Sequence, residues 1–262
     1  MYAEVNGINL YYEIHGEGRP LVLLHGGLGS SEMFAPVLPA FAEHHRVIAV
    51  DLQGHGRTAD IDRPLDLELL AGDVAALIEH LGLDRPDLVG YSFGGGVALL
   101  TAVRHPERVG RLVAASAGIR RSATHAEILE QQGQMGAAAA EFLRDTPMYE
   151  SYQRLAPRPE DFPRLLDKIG ATMARDYDYT DEVRGLRVPT LIVAADADLC
   201  PPSHFVEVFA LLGGGARDGG WAGEGRPAGG HALAILPGLT HYNLFLSPLF
   251  VTTALAFLDE KD

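Results

Sequence analysis

The 262-residue sequence contains a single cysteine, Cys200, so an internal disulfide and a cysteine-rich zinc site are both excluded. It is also poor in positive charge, with 21 Lys and Arg residues against 35 Asp and Glu and a net charge of −14. Because this charge repels phosphate, nucleic acid is not an expected partner. No apolar run reaches the roughly 18 residues of a membrane-spanning helix, and no signal peptide is seen at the N-terminus. These absences predict an acidic, cytoplasmic protein that binds neither nucleic acid nor membranes.

Short apolar segments alternate with helix-like segments along most of the chain. The segments "PLVLLHGG", "RVIAVD", "DLVGYS" and "RLVAASAG" are typical of buried strands, and segments with helical spacing separate them. Near the N-terminus, Asn6-Gly7 joins two alternating runs, which predicts a hairpin. This rhythm indicates an α/β fold with a mostly parallel sheet covered on both faces.

The rhythm breaks between residues 119 and 185, where helical patterns occur without a convincing strand. The sequence therefore predicts a core made of residues 1–118 and 186–262, with a helical insertion at 119–185. Residues 213–230 form a glycine-rich, aperiodic segment that predicts a surface loop anchored by Trp221. Its position just before the last predicted strand suggests the hypothesis that this loop gates a site.

The segment Gly90-Tyr91-Ser92-Phe93-Gly94 follows a predicted strand and opens a predicted helix. A serine on such a sharp turn is pushed into solvent, and only small residues at 90 and 94 let strand and helix approach closely. A serine hydroxyl becomes a nucleophile only when an oriented base removes its proton. We expect His241 to be that base, because it follows the last predicted strand at the sheet edge where Ser92 emerges. His25 is expected to orient its own loop.

Five segments together resemble the α/β-hydrolase family along nearly the whole chain: "LLHGGLGS", "VDLQGHGR", "GYSFGG", "LIVAADADLCPP" and "LPGLTHYN". The resemblance implies an eight-stranded sheet, a Ser–acid–His triad and a helical cap after the sixth strand. In the family pattern a proline follows the triad acid by four residues. Asp198 matches because Pro202 follows it at that distance, whereas Asp196 is expected to be a turn-capping carboxylate.

An oxyanion hole is expected from two backbone N–H groups. One belongs to Phe93, the residue after the nucleophile, and the resemblance implies that the other belongs to Gly27. No metal or organic cofactor is expected. Asp51 and Arg57 resemble the structural turn of the family rather than substrate-binding residues.

A set of Met and aromatic side chains is expected to supply an apolar substrate pocket, with only part of the set facing it. Its members are Met33, Phe34, Phe93, Met135, Phe142, Met148, Tyr149, Tyr152, Met173 and Tyr242.

These features predict a serine hydrolase that cleaves a small to medium, largely apolar carboxylic ester through an acyl-enzyme. A serine in place of an aspartate at position 92 argues against epoxide hydrolases and haloalkane dehalogenases of this fold. A lactonase, a carbon–carbon bond hydrolase, a cofactor-free perhydrolase and, from another class, a non-catalytic ligand-binding receptor remain alternatives. The expected partner is a small-molecule ester or lactone. A homodimer is left open, as is the physiological substrate.

Overall fold

The computed structural model describes residues 1–221, 223, 225 and 229–260. Eight strands form one sheet in the order β1-β2-β4-β3-β5-β6-β7-β8. The strands are β1 (Tyr2–Val5), β2 (Ile8–His15), β3 (Arg19–Leu24), β4 (His45–Asp51), β5 (Asp87–Tyr91), β6 (Leu112–Ala115), β7 (Thr190–Ala197) and β8 (Ala232–Thr240). Strand β2 is antiparallel to both of its neighbours, and the pairs from β4 to β8 are parallel. The predicted eight-stranded, mostly parallel α/β sheet is confirmed.

The helices are α1 (Leu38–Ala42), α2 (Leu67–His80), α3 (Phe93–Arg104), α4 (Ala126–Gly133), α5 (Pro147–Leu155), α6 (Phe162–Ala174), α7 (Thr180–Arg184), α8 (Pro202–Leu211) and α9 (Pro248–Leu258). Helices α4 to α7 lie between β6 and β7, and we call them the helical insertion. No helix in the described ranges is long and apolar enough to cross a membrane.

The hairpin between β1 and β2 forms where the sequence predicts it. Asn6 and Gly7 both have left-handed backbones, with φ of 48° and 77°, and Val5 pairs with Ile8 across the turn. Two successive left-handed residues are the mark of a type I′ turn, whose twist matches that of the strands.

The apolar core lies on both faces of the sheet. On one face, side chains of α2, α3 and α8 form a continuous cluster with Phe162, Leu166 and Ile169 of the helical insertion. On the other face, α1 and α9 cover β3, β4 and β7. The central strands are buried on both sides, which explains their unbroken apolar sequences. The helical insertion shares its apolar contacts with the core and so lies fixed above the carboxyl edge of the sheet.

Candidate active site

Ser92 occupies a sharp turn between β5 and α3. Its backbone has φ 54° and ψ −118°, a conformation that a residue with a side chain rarely adopts. A side chain at Gly90 would overlap the Gly94 carbonyl, and one at Gly94 would overlap the carbonyl oxygens of Leu24 and His25. Glycine is therefore required on both sides of Ser92, and the turn presents the serine at the carboxyl edge of the sheet.

The structure brings three of the predicted site residues into one chain of hydrogen bonds. The distance from Ser92 Oγ to His241 Nε2 is 2.9 Å, and His241 Nδ1 lies 2.7 Å from Asp198 Oδ1. Because Nδ1 faces a carboxylate, it carries the proton, and Nε2 is left to accept from the serine hydroxyl. The Tyr91 hydroxyl donates to the His241 carbonyl and so fixes the backbone of that residue. His241 and Asp198 are only 6% and 8% exposed, whereas Ser92 is partly accessible.

Asp198 accepts hydrogen bonds from three further groups besides His241. Its Oδ2 accepts from the Ser116 hydroxyl at 2.5 Å and from the Ala195 N–H at 3.1 Å, and its Oδ1 also accepts from the Leu199 N–H at 2.8 Å. Burial by itself would raise the pKa of Asp198. The hydrogen bonds from His241, Ser116 and Ala195 nevertheless hold the pKa below its ordinary value. Asp198 is thus kept ionised beside the histidine.

Asp196 does not contact His241 in the same way, but binds the backbone near the end of β8. Its carboxylate accepts from the N–H groups of Gly238 and Leu239 at 2.9 and 3.2 Å. Gly238 has a left-handed backbone, with φ 70°, and the β7–β8 register shifts between Ala195 and Ala197. Asp196 therefore bonds the irregular end of β8, the strand that leads into His241.

The loop after β3 lies against the Ser92 turn. A side chain at Gly27 would lie 3.7 Å from the Phe93 Cβ and 3.8 Å from the Ile169 Cδ1, so Gly27 sits between Phe93 and the helical insertion. The adjacent Leu28 has a left-handed backbone, with φ 61°. Within the described part of the chain, the Gly27 and Phe93 N–H groups have no protein acceptor. Both are therefore available to a ligand oxygen.

His25 stabilises this loop with both of its ring nitrogens. Its Nδ1–H donates to the Gly26 carbonyl at 2.8 Å, and its Nε2 accepts from the Leu52 N–H at 3.0 Å. Complete burial lowers the pKa of His25 to about 4. The ring stays neutral and has no free nitrogen for a substrate, as expected for a residue that orients its own loop.

The segment after β4 is a structural turn. The buried Asp51 carboxylate accepts from the Ser31 N–H at 2.6 Å and from the Arg57 N–H at 2.8 Å. The Arg57 guanidinium in turn donates to Glu32, which also binds Arg154 of α5. These contacts join the loop after β3, the loop after β4 and the helical insertion.

Helix α6 is docked on the loop at residues 53–66. Lys168 Nζ lies 2.6 Å from Asp60 Oδ2 and 2.7 Å from the carbonyl oxygens of Ile61 and Arg63. Arg164 pairs with the same buried carboxylate at 2.8 Å. The next residue after Lys168 is Ile169, the side chain above Gly27. The ion pair between Lys168 and the buried Asp60 carboxylate therefore helps to set the position of Ile169, the neighbouring residue on α6.

The predicted pocket residues do not lie together in the structure, and their exposure differs widely. Met33, Phe93, Met135, Tyr149 and Met173 are partly buried. Two assignments to the pocket are wrong: Phe34 is 0% exposed within the core under α1, and Phe142 is 86% exposed on the outer surface. Tyr152 is buried against Phe162, while Met148 and Tyr242 are exposed.

The predicted loop at 213–230 lies partly outside the described residues, which omit 222, 224 and 226–228. The hypothesis that it gates the site falls on this part of the chain. Trp221 is described and is fully exposed, so its expected role as an anchor is wrong. Within the described ranges, no three His, Cys, Asp or Glu side chains gather as a metal ion would require.

Ser116 is the site residue that sequence reasoning missed. A lone serine after a strand has no motif, and the signal was only its position at the end of "RLVAAS", at the same sheet edge as Ser92.

Known proteins resemble this chain in sequence and in structure. Residues 19–168 match the model of the alpha/beta hydrolase fold family. RutD from Rhizobium rhizogenes, a proposed carbamate hydrolase, is 31% identical over 215 residues, covering 74% of this chain and 81% of the relative. Proline iminopeptidase from Lactobacillus helveticus is 31% identical over 237 residues, covering 75% and 81%. The solved enol-lactonase from Burkholderia xenovorans LB400 has a TM-score of 0.73 and 26% identity, covering 99% of this chain and all of that one. All three relatives carry the names of hydrolases, but these names refer to the hydrolysis of different bonds.

Proposed function

Since the chain belongs to the α/β-hydrolase fold family and is a hydrolase, we propose that it cleaves a carboxylic ester through an acyl-enzyme formed on Ser92. The unbroken chain of hydrogen bonds from Ser92 through His241 to Asp198 is the observation on which this function rests. A nucleophile, a base with a free lone pair and an ionised carboxylate behind the base are the groups that acyl transfer requires.

In the proposed reaction, Ser92 Oγ attacks the ester carbonyl carbon as its proton passes to His241 Nε2. The new charge on the imidazolium is stabilised by Asp198, which accepts from Nδ1. The carbonyl oxygen becomes an oxyanion and accepts from the N–H groups of Gly27 and Phe93, which have no other acceptor among the described residues. His241 then gives its proton to the leaving alkoxide, and the acyl group remains on Ser92. Water, deprotonated by His241, releases the carboxylic acid and restores the serine.

The acyl side of the substrate is proposed to be small and apolar. Ile169 of α6 is 0% exposed and lies over Gly27, so a group bound at the Gly27 N–H meets an aliphatic side chain. The partly buried Met33, Phe93 and Met173 are further apolar candidates for this surface.

A lactone is the second candidate substrate. A lactone is a cyclic ester, and the same attack by Ser92 opens its ring without loss of a separate alcohol. The likeness to the Burkholderia enol-lactonase over 99% of this chain favours this alternative.

A fluorophosphonate probe tests the reaction, because it phosphonylates an activated serine far faster than an ordinary one. Ser92 is expected to be labelled, as shown by peptide mass spectrometry, while Ser92→Ala is not labelled. Hydrolysis of p-nitrophenyl esters of graded acyl length, beside a set of lactones, then defines the substrate class. Wild-type protein that is neither labelled nor active on any ester or lactone would show that the proposed function is wrong. Ser203→Ala, on α8, is a matched control that is expected to keep full labelling.

A further inference from the structure

Ser116 lies where β6 ends, between the Ser92 turn and β7. Its backbone has φ 52°, in the left-handed region that a serine enters only at a cost of order 1 kcal/mol. Its N–H donates to the Val193 carbonyl of β7 at 2.8 Å, which fixes the residue against the neighbouring strand. A glycine would satisfy this backbone at lower cost. A glycine lacks the hydroxyl, and among the described residues the Ser116 hydroxyl makes one hydrogen bond, to Asp198.

The Ser116 hydroxyl donates to Asp198 Oδ2 at 2.5 Å, inside the protein. The two oxygens of Asp198 thus have separate partners: Oδ2 is bonded by Ser116 and Ala195, while Oδ1 faces His241 and the Leu199 N–H. A carboxylate held at one oxygen by two donors cannot rotate about its side-chain bonds without losing both. Bonds to a charged acceptor are also stronger than those between neutral groups.

We propose that Ser116 is a positioning residue that holds Asp198 in the rotamer in which Oδ1 meets His241 Nδ1. Ser116 does not touch the substrate, and its effect on the reaction passes through Asp198 and His241. This role rests on the proposed function, since it presumes that Asp198 orients His241 during acyl transfer. The backbone strain at residue 116 is retained because the hydroxyl must reach a carboxylate just beyond the end of β7.

Two substitutions separate the hydroxyl from the backbone. Ser116→Ala removes the hydroxyl and keeps the Cβ, whereas Ser116→Gly removes the hydroxyl and relieves the backbone strain. If the hydroxyl positions Asp198, both variants lose kcat about tenfold, the size expected for one hydrogen bond to a charged group, and KM stays within twofold. If the residue is only structural, Ser116→Gly keeps the wild-type kcat whatever its thermal stability, and that result would overturn the proposal.

The pH profile gives a second readout. Without the Ser116 donor, Asp198 spends less time in the rotamer that meets His241 Nδ1, so the imidazolium loses part of its stabilisation. The acidic limb of kcat/KM is therefore expected to move to lower pH in both variants. An acidic limb that stays in place while kcat falls would count against a role through Asp198.

A double-mutant cycle with Asp198→Asn completes the test. The rate of Ser92 phosphonylation is the readout, because it remains measurable when turnover is slow. Ser116→Gly is expected to slow labelling about tenfold in the wild-type background and less than twofold in the Asp198→Asn background. Equal losses in both backgrounds would refute a role through Asp198. If Asp198→Asn itself labels at the wild-type rate, the proposed function is wrong; if only Ser116→Gly has no effect, the proposed function stands and the role of Ser116 falls.

Discussion

Asp196 and Asp198 lie two residues apart at the end of β7, and their carboxylates bind different parts of the segment from Gly238 to His241. Asp198 accepts from the His241 ring, whereas Asp196 accepts from the backbone of Gly238 and Leu239, shortly before that histidine in sequence. One carboxylate therefore holds the side chain of His241, and the other holds the strand end that carries it.

This division of roles predicts opposite results for two matched substitutions. Asp198→Asn removes the charge that stabilises the imidazolium, and we expect kcat to fall by roughly 10⁴-fold, as for triad acids in general, with little change in KM. Asp196→Asn keeps one acceptor oxygen for two donors, and we expect a loss of stability of about 1 kcal/mol with kcat within a few-fold. Steady-state kinetics and urea unfolding of both variants check this. A reversed pattern would exchange the two assignments.

The Ser92 turn predicts a second pair of contrasting variants, both on α3. In Gly94→Ala the new methyl group meets the backbone carbonyls of Leu24 and His25, which cannot move without breaking β3, so we expect little folded or active protein. In Gly96→Ala the nearest atom is the Leu67 Cδ1 at 3.3 Å, which can turn away. Alanine is the better helix former by up to about 1 kcal/mol, so this variant should equal or exceed the wild type in thermal stability. Normal turnover by Gly94→Ala would contradict the described turn.

The contact between Lys168 and Asp60 predicts a strong dependence of stability on one lysine. Lys168→Met leaves the buried Asp60 carboxylate with Arg164 and Gln53 as partners, and losing one hydrogen bond to a charged group typically costs about 1.5–3 kcal/mol. Arg184, paired with Asp181 on the surface, is the control: Arg184→Met should change stability by less than about 0.5 kcal/mol. Urea unfolding curves of the two variants measure the difference. Equal, small losses of stability in the two variants would mean that Arg164 and Gln53 satisfy Asp60 without the lysine.

Ile169 above Gly27 predicts a change of substrate size. Ile169→Ala opens space beside the Gly27 N–H, and we expect the ratio of kcat/KM for longer over shorter acyl esters to rise. Leu166→Ala removes an equally buried side chain of the same helix without the contact to Gly27. Both variants should lose about 2–5 kcal/mol of stability, but only Ile169→Ala should change acyl selectivity. The same selectivity in both variants would place the acyl group elsewhere.

Two buried histidines predict how stability depends on pH. Burial lowers the pKa of His25 to about 4 and, together with the charge of the nearby His25, that of His55 to about 3. The unfolded chain takes up these protons near pH 6.5, so the unfolded state binds more protons than the folded state below that pH. The free energy of unfolding therefore has its full value, as far as these two groups are concerned, above about pH 6.5. It falls as the pH drops toward 4, by roughly 1.4 kcal/mol per pH unit for each histidine.

Replacing one of these histidines tests the assignment. His55→Gln should reduce the slope of unfolding free energy against pH between 6.5 and 4, measured by urea unfolding at several pH values. His44, whose side chain is 64% exposed, is the control, and His44→Gln should leave the slope as it is. An unchanged slope in His55→Gln would mean that other groups cause the acid sensitivity.

The parts of the fold that depend on local sequence were predictable. Asn6-Gly7 specifies its own turn, and Gly90 and Gly94 specify the close approach around Ser92. The distinction between Asp196 and Asp198 needed the family pattern, because two acids on one strand end look alike in sequence. Their different partners, in β8 and at His241 directly after it, lie more than 30 residues further along the chain.

The remaining features depend on packing between distant segments. Phe34 is an aromatic residue of the kind that lines pockets, but it is buried in the core cluster and packs edge-on against Phe245, more than 200 residues further along the chain. Ser116 meets Asp198 only because β6 and β7 are neighbours in the sheet. Lys168 forms an ion pair with Asp60, which precedes it by more than 100 residues in sequence. No periodicity or short motif records such pairings.

Trp221 is the only tryptophan of the sequence, and its indole ring is already surrounded by water in the folded protein. Its fluorescence will therefore differ little between the folded and unfolded chain, so unfolding has to be followed by circular dichroism or calorimetry. The same exposure gives the emission a different use. Any event that covers this part of the loop moves the ring from water into an apolar setting and shifts the emission to shorter wavelength. Trp221 emission is thus expected to report contacts made at this residue rather than the unfolding of the chain.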